Sequence, residues 1–113
     1  MLVYGEESRY HDQKLEEVNL NAKTTATNGD AIECHQFRNK TVFVNVSVNT
    51  GAVTVNIEIS PDGTTWFNYD SKTYTATTGK DSWGIPDYAE YIRTTTTTQS
   101  ASTVTTTVTG KGL

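Results

Sequence analysis

The sequence is poor in the residues that make crosslinks, metal centres and catalytic constellations: one cysteine, two histidines, two prolines and one methionine in 113 residues. Cys34 has no partner within the chain, so no intrachain disulfide forms and the fold must hold without staples. His11, His35 and Cys34 are the only soft metal ligands, and a strand would send the adjacent Cys34 and His35 to opposite faces, so a zinc centre is not expected. Asp62, Asp70, Asp81 and Asp87 carry oxygens suited to calcium, yet they stand apart and no dense Asp-x-Asp-x-Asp loop is present. Serine and threonine abound, but a nucleophile needs a base oriented by a third group, and two isolated histidines supply little. Glu58 or Glu90 with an aspartate could form a carboxylate pair for glycoside cleavage, although any acidic chain permits that. The expectation is a protein that is not an enzyme, with no catalytic residue, no cofactor and no metal.

Long apolar runs are absent as well, and Met1-Leu2-Val3-Tyr4-Gly5-Glu6-Glu7 lacks the basic start and apolar stretch of a signal peptide. Neither a membrane association nor secretion is expected, and synthesis and folding belong to the cytoplasm. Basic charge is scarce too. Nine Lys and Arg stand against thirteen Asp and Glu, a formal net charge of −4, so the summed field repels a phosphate backbone and nucleic acid is not an expected partner. The acidity concentrates at the start, where Glu6, Glu7, Asp12, Glu16 and Glu17 face only Arg9 and Lys14.

What the chain has in excess is threonine, about a fifth of all residues against a much smaller usual share. Thr is β-branched, stiff at χ1 and at home on a pleated surface, so the excess argues for strands with a polar outer face. The alternation confirms the type of element. Val42, Val44, Val46 and Val48 alternate with Asn45, Ser47 and Asn49, and Val53, Val55, Ile57 and Ile59 alternate with Thr54, Asn56 and Glu58. Asn49-Thr50-Gly51 lies between them and predicts a β-hairpin turn.

Other strands are predicted over 15–23, 31–37, 64–69, 73–77, 82–85, 88–97 and 102–109, the last two as a pair separated by Gln99-Ser100-Ala101. Val104 and Val108 share a face there, as do Ile92 and Thr94 in the preceding run. Ser60-Pro61-Asp62-Gly63 follows the recipe for a tight turn, with Pro presetting φ, Asp closing a local hydrogen bond and Gly taking the final corner. Extended to Trp66, this stretch resembles the Asp-box of sialidase-like propellers but is one residue short, and length and lack of repetition exclude a propeller.

Short strands at even spacing point to an all-β fold, an antiparallel β-sandwich of immunoglobulin-like or jelly-roll-like type with seven to eight short strands. Residues 1–14 show no strand period and are expected to form an N-terminal arm, leaving 15–113 as one domain. The expected core is Val42, Val44, Val46, Val48, Val53, Val55, Ile57, Ile59, Ile92, Val104 and Val108, by shared parity within each strand. Among the aromatics, Trp66 is expected in the core with one or two tyrosines, and Trp83, beside Gly84, in a loop or interface.

From Val42 onward the order of signals resembles small β-sandwich virion structural proteins of phages and related viruses. The matching text is the Val-rich stretch Val42 to Ile59, the turn Ser60 to Trp66, the run Tyr91-Ile92-Arg93 and the closing Thr/Val/Gly strand Ser102 to Gly110. The resemblance covers about two thirds of the chain and rests on turn and core motifs. It implies a virion component, a capsid decoration or head- or tail-associated protein, made in the host cytoplasm and located in the virion. Its partners would be itself and a capsid or tail protein, in a homo-oligomer for which a trimer is preferred by analogy. The interface residues expected are Leu2, Val3, Tyr4 and Tyr10 of the arm, apolar side chains that a purely solvated tail would not need, together with Trp83. The alternative is a carbohydrate-binding or adhesive β-sandwich module, for which exposed aromatics are the relevant chemistry.

Overall fold

Alternating β-branched residues can hold two long strands only if those strands bend, because a single core is too small for a straight ribbon of twenty residues. The computed structural model, which describes residues 14–112, shows this solution. Six strands form one antiparallel sheet: β1 (Lys14–Lys23), β2 (Ile32–Glu33), β3 (Asn39–Ser60), β4 (Phe67–Thr75), β5 (Gly79–Ile85) and β6 (Tyr91–Lys111). Their order is β1-β6-β3-β4, with β2 also on β6 and β5 also on β3.

The ribbon of β3 and β6 pairs along its whole length, from Asn39↔Lys111 to Ser60↔Tyr91, and folds over on itself in the middle. Its lower half, 39–46 with 104–111, is flanked by β5 and β1; its upper half, 54–60 with 91–97, is flanked by β4 and β2. The result is the expected all-β antiparallel sandwich, in which two continuous strands serve both layers. Six strands thereby supply eight strand segments.

The hairpin predicted at Asn49-Thr50-Gly51 is corrected by this topology. The two Val/Ile runs do not pair with each other, and both pair with β6. The turn-forming residues instead make the bend, with register shifts between Val46 and Val48, Asn49 and Ala52, and Ala52 and Thr54. The buried Asn49 fastens it: its Nδ2 donates to the carbonyls of Tyr74 (3.1 Å) and Thr77 (2.9 Å), and its Oδ1 accepts from the Gly51 amide. The pair predicted from 88–97 and 102–109 is likewise one bent strand, and Thr98 and Ala101 adopt positive φ (52° and 46°) where it turns over.

The bend also inverts the side-chain parity. Val42, Val44 and Val46 are buried at even positions, Val53, Val55 and Ile57 at odd ones, and with Ile92, Val104 and Val108 they form the core as expected. Val48 is corrected: it lies within the bulged stretch and is 53% exposed, and Ile59 is only partly buried. Further core members are Leu20, Ile32, Cys34, Phe37, Tyr74, Ile85 and Ala89.

Three smaller boundaries differ. The strand predicted over 31–37 shortens to Ile32–Glu33, because the chain turns at Cys34 to bury Phe37, whose amide bonds the Cys34 carbonyl. The predicted 64–69 and 73–77 strands are one element, β4, which starts at Phe67. Lys14, assigned to the arm, opens β1 opposite Lys111.

Candidate functional site

The predicted Ser-Pro-Asp-Gly turn joins β3 to β4. Ser60 is buried and its Oγ accepts from the amides of Asp62 and Gly63, while Asp62 Oδ1 accepts from the amides of Thr64 (2.9 Å) and Thr65 (2.8 Å). Gly63 takes φ +83°, a conformation that costs a glycine nothing. The Thr65 and Thr64 amides, with the Ser60 hydroxyl, hold the Asp62 carboxyl well below the usual range. Its Oδ1 is taken up by the turn.

The edge where β4 faces β5 across the sandwich is closed by charged and aromatic side chains that point inward. Trp83 Nε1 donates to Asp70 Oδ2 (2.9 Å), and Asp81 Oδ2 accepts from the Tyr74 hydroxyl (2.6 Å) and from Lys72 Nζ (3.0 Å). Tyr74 is buried, and burial followed by its bond to Asp81 pushes the phenol above its ordinary range; the same hydroxyl, then Lys72, holds Asp81 low. Inward charges on edge strands block further strand addition. Trp83 lies in β5 and packs against the core, which corrects the loop half of its expectation. Trp66 is corrected in the opposite sense. It is half-buried, with the Arg93 guanidinium 4.5 Å over its ring, while Arg93 bonds Glu58 at 2.6 Å.

The other expected site residues, Leu2, Val3, Tyr4 and Tyr10, lie outside the described residues, as does His11. Cys34 is buried beside the Ala89 and Glu90 carbonyls and burial pushes its thiol up to about 11, which makes it a poor ligand or nucleophile at neutral pH. His35 faces Glu33 at 3.0 Å. Among the described residues no group of three His, Cys, Asp or Glu lies close enough to share a metal. Sequence reading missed Lys40. It is buried at an inward position of β3, and its Nζ donates to the Ala89 (2.7 Å) and Asp87 (3.2 Å) carbonyls, tying down the loop before β6. The even parity it shares with Val42 was the available signal.

Two exposed surfaces stand out among the described residues. At one end, Ile59, Pro61, Phe67, Tyr88 and Ala89 line an apolar hollow of about 390 Å³, with Phe67 56% and Tyr88 72% exposed. The larger is the outer face of the β1-β6-β3-β5 layer. Register aligns Val18, Thr107, Phe43 and Ser82 in one row across all four strands, and Val18 (53%) and Phe43 (46%) are exposed. The rows on either side hold Glu16, Thr109, Thr41 and Gly84, and Thr105, Asn45 and Lys80. The face is thus apolar and threonine-lined at its centre, with Glu16 and Lys80 at opposite corners and the exposed Lys14 and Lys111 in the row beyond Glu16. The outer face of the opposite layer differs, since its polar groups satisfy one another through Glu58–Arg93, Asn56–Thr95 and Thr54–Thr73.

No protein-family model matches the sequence, and no curated protein matches it. Among solved structures the chain is similar to the SPBc2 prophage-derived protein YomS, at 10% identity and a TM-score of 0.64 over 86% of this chain and 92% of that one. It is similar to PirA at 13% identity and a TM-score of 0.50, over 86% and 92%. A chain from the disulfide-linked pili of Bacillus endospore appendages aligns at 18% identity and a TM-score of 0.49, over 89% and 87%. At such identities what the chain shares with YomS and PirA is its fold, a small antiparallel β-sandwich.

Proposed function

We propose that the chain is a non-enzymatic structural subunit of a virus particle, a capsid decoration or head- or tail-associated protein that acts through contacts with its own copies and with a capsid or tail protein. The observation that carries this reading is the row Val18, Thr107, Phe43 and Ser82, which exposes large apolar side chains on one outer face of a sandwich whose β4/β5 edge is blocked. Such a body meets partners face-on and keeps its β4/β5 edge out of strand exchange. The prophage origin of YomS and the turn and strand motifs at Ser60 to Trp66 and Tyr91 to Arg93 support a phage setting.

A carbohydrate-binding module is the second reading, favoured by the exposed Tyr69, Tyr88 and Phe67. Both indoles are already engaged, Trp66 beneath Arg93 and Trp83 with Asp70, which weakens any sugar-stacking platform built on them. Particles purified from cells that carry the gene should contain many copies of the chain per particle by quantitative mass spectrometry, and the pure protein should not be retained on polysaccharide columns. Absence from particles, or retention on a polysaccharide, rejects the structural reading.

A further inference from the structure

We propose that the outer face of the β1-β6-β3-β5 layer is a two-fold interface with a second copy of this chain, the two sheets crossing at near right angles. Charge placement fixes the crossing angle. Glu16 lies on β1 two residues to one side of the Val18 row, and Lys80 lies on β5 two residues to the other side. Both side chains are exposed.

Two residues along a strand span about 7 Å, and one and a half strand spacings span about 7 Å. Glu16 and Lys80 therefore stand at opposite corners of a square centred between Thr107 and Phe43. A two-fold axis lying in the face along the other diagonal exchanges these corners. It sets Glu16 of each copy over Lys80 of the other, twice, and turns each strand by about 90° onto its counterpart. Orthogonal crossing is one of the two favoured ways for sheets to pack. The same operation brings Phe43 of each copy near the axis against Thr107, and Val18 against the Thr105 and Asn45 row.

This gives an apolar centre with a charged rim, the usual anatomy of a specific interface. A two-fold packing aligned at about 30° does not set Glu16 over Lys80 of the other copy.

The proposal rests on the reading of the chain as a self-assembling subunit, and its test is separate from the particle experiment. Light scattering of the full-length protein after gel filtration should give a dimer at tens of micromolar. Phe43→Asp should run as a monomer with an unchanged far-ultraviolet circular dichroism spectrum, and so should Thr107→Arg, one strand away. Glu16→Lys and Lys80→Glu should each weaken the dimer on the order of ten-fold, since each creates two like-charge contacts, and the double reversal should restore it. A monomeric wild type overturns the proposal. So does an association that Phe43→Asp and Thr107→Arg leave intact, or a double reversal no better than either single one. The chain's presence in particles would be untouched by any of these results.

Discussion

Thr94 and Thr106, twelve residues apart on the same strand, share a hydrogen bond of 2.6 Å across the interior of the sandwich. A straight strand would hold them about 40 Å apart, so this one bond records the folding of β6. The direction of the protons follows from the partners. Thr94 Oγ1 has a single proton, which goes to Asn19 Oδ1 (2.7 Å), so Thr106 donates to Thr94 and accepts from the Leu20 amide (3.0 Å). Asn19 reaches inward because β1 bulges between Val18 and Leu20. Thr106→Val should destabilise the fold by about 1 to 3 kcal/mol, because it leaves the buried Leu20 amide without an acceptor. In a urea-denaturation cycle with Thr94→Val the two losses should fall short of additivity by about 0.5 kcal/mol or more; strict additivity would mean that the bond does not join the layers.

Gly51 stands where the bends of β3 and β6 touch. A methyl group at this position would land on the Ser100 carbonyl oxygen, a backbone atom that cannot swing aside. Gly51→Ala should cost about 1 to 3 kcal/mol, while Thr50→Ala, at its exposed neighbour, should stay within about 0.5 kcal/mol. Equal denaturation midpoints for the two variants would show that the bends are not in close contact.

Thr98 is exposed and holds φ at 52°, an unfavourable conformation for a β-branched side chain. Thr98→Gly relieves a penalty of about 1 to 2 kcal/mol and loses part of that through the freer unfolded chain. A net gain of about 0.5 kcal/mol is expected, seen as a thermal midpoint a few degrees higher. A lower midpoint would place Thr98 in extended backbone.

Asp62 and Asp81 both have carboxyls held low in the folded state, the first by the Thr65 and Thr64 amides and Ser60, the second by Tyr74 and Lys72. The unfolded chain takes up protons near the ordinary carboxylate pKa of about 4 that the folded chain refuses. Their stabilisation is therefore full above that pH and is lost as pH falls through the folded values. Asp62→Asn keeps an acceptor in the turn but cannot titrate. It should be less stable than the wild type at pH 7, with the gap closing as pH drops below about 4; a gap that is constant with pH would remove Asp62 from the acid dependence.

The type of element was legible in the residues. Val42 to Val46 and Val53 to Ile57 show the period of two, and their burial follows from it. The turn at Ser60 to Gly63 was equally readable, because Ser, Pro, Asp and Gly act within four residues and need no distant partner. The bonds of Lys40 and Trp83 were hidden for the converse reason: Lys40 shares the parity of Val42, but the carbonyl of Ala89 that holds it and the carboxylate of Asp70 that holds Trp83 come from other elements, and no local pattern announces those partners.

By itself the sequence determined that this chain is built of strands, which side chains alternate inward, and that the tight turn follows Ser60. Only the tertiary structure decided that Asn49-Thr50-Gly51 bends one strand between two layers instead of reversing it into a hairpin. Local chemistry is the same in both cases, since Asn and Gly relax the backbone for either course. What separates them is the partner available to each half, and β6 offers Val104 and Val108 to the first and Ile92 and Thr94 to the second along one continuous strand. The same long-range register sets Val18 beside Thr107 and Phe43, and Glu16 diagonally across from Lys80. Residues so far apart in the chain meet on one face because strand pairing, which acts between segments, fixes where each row falls.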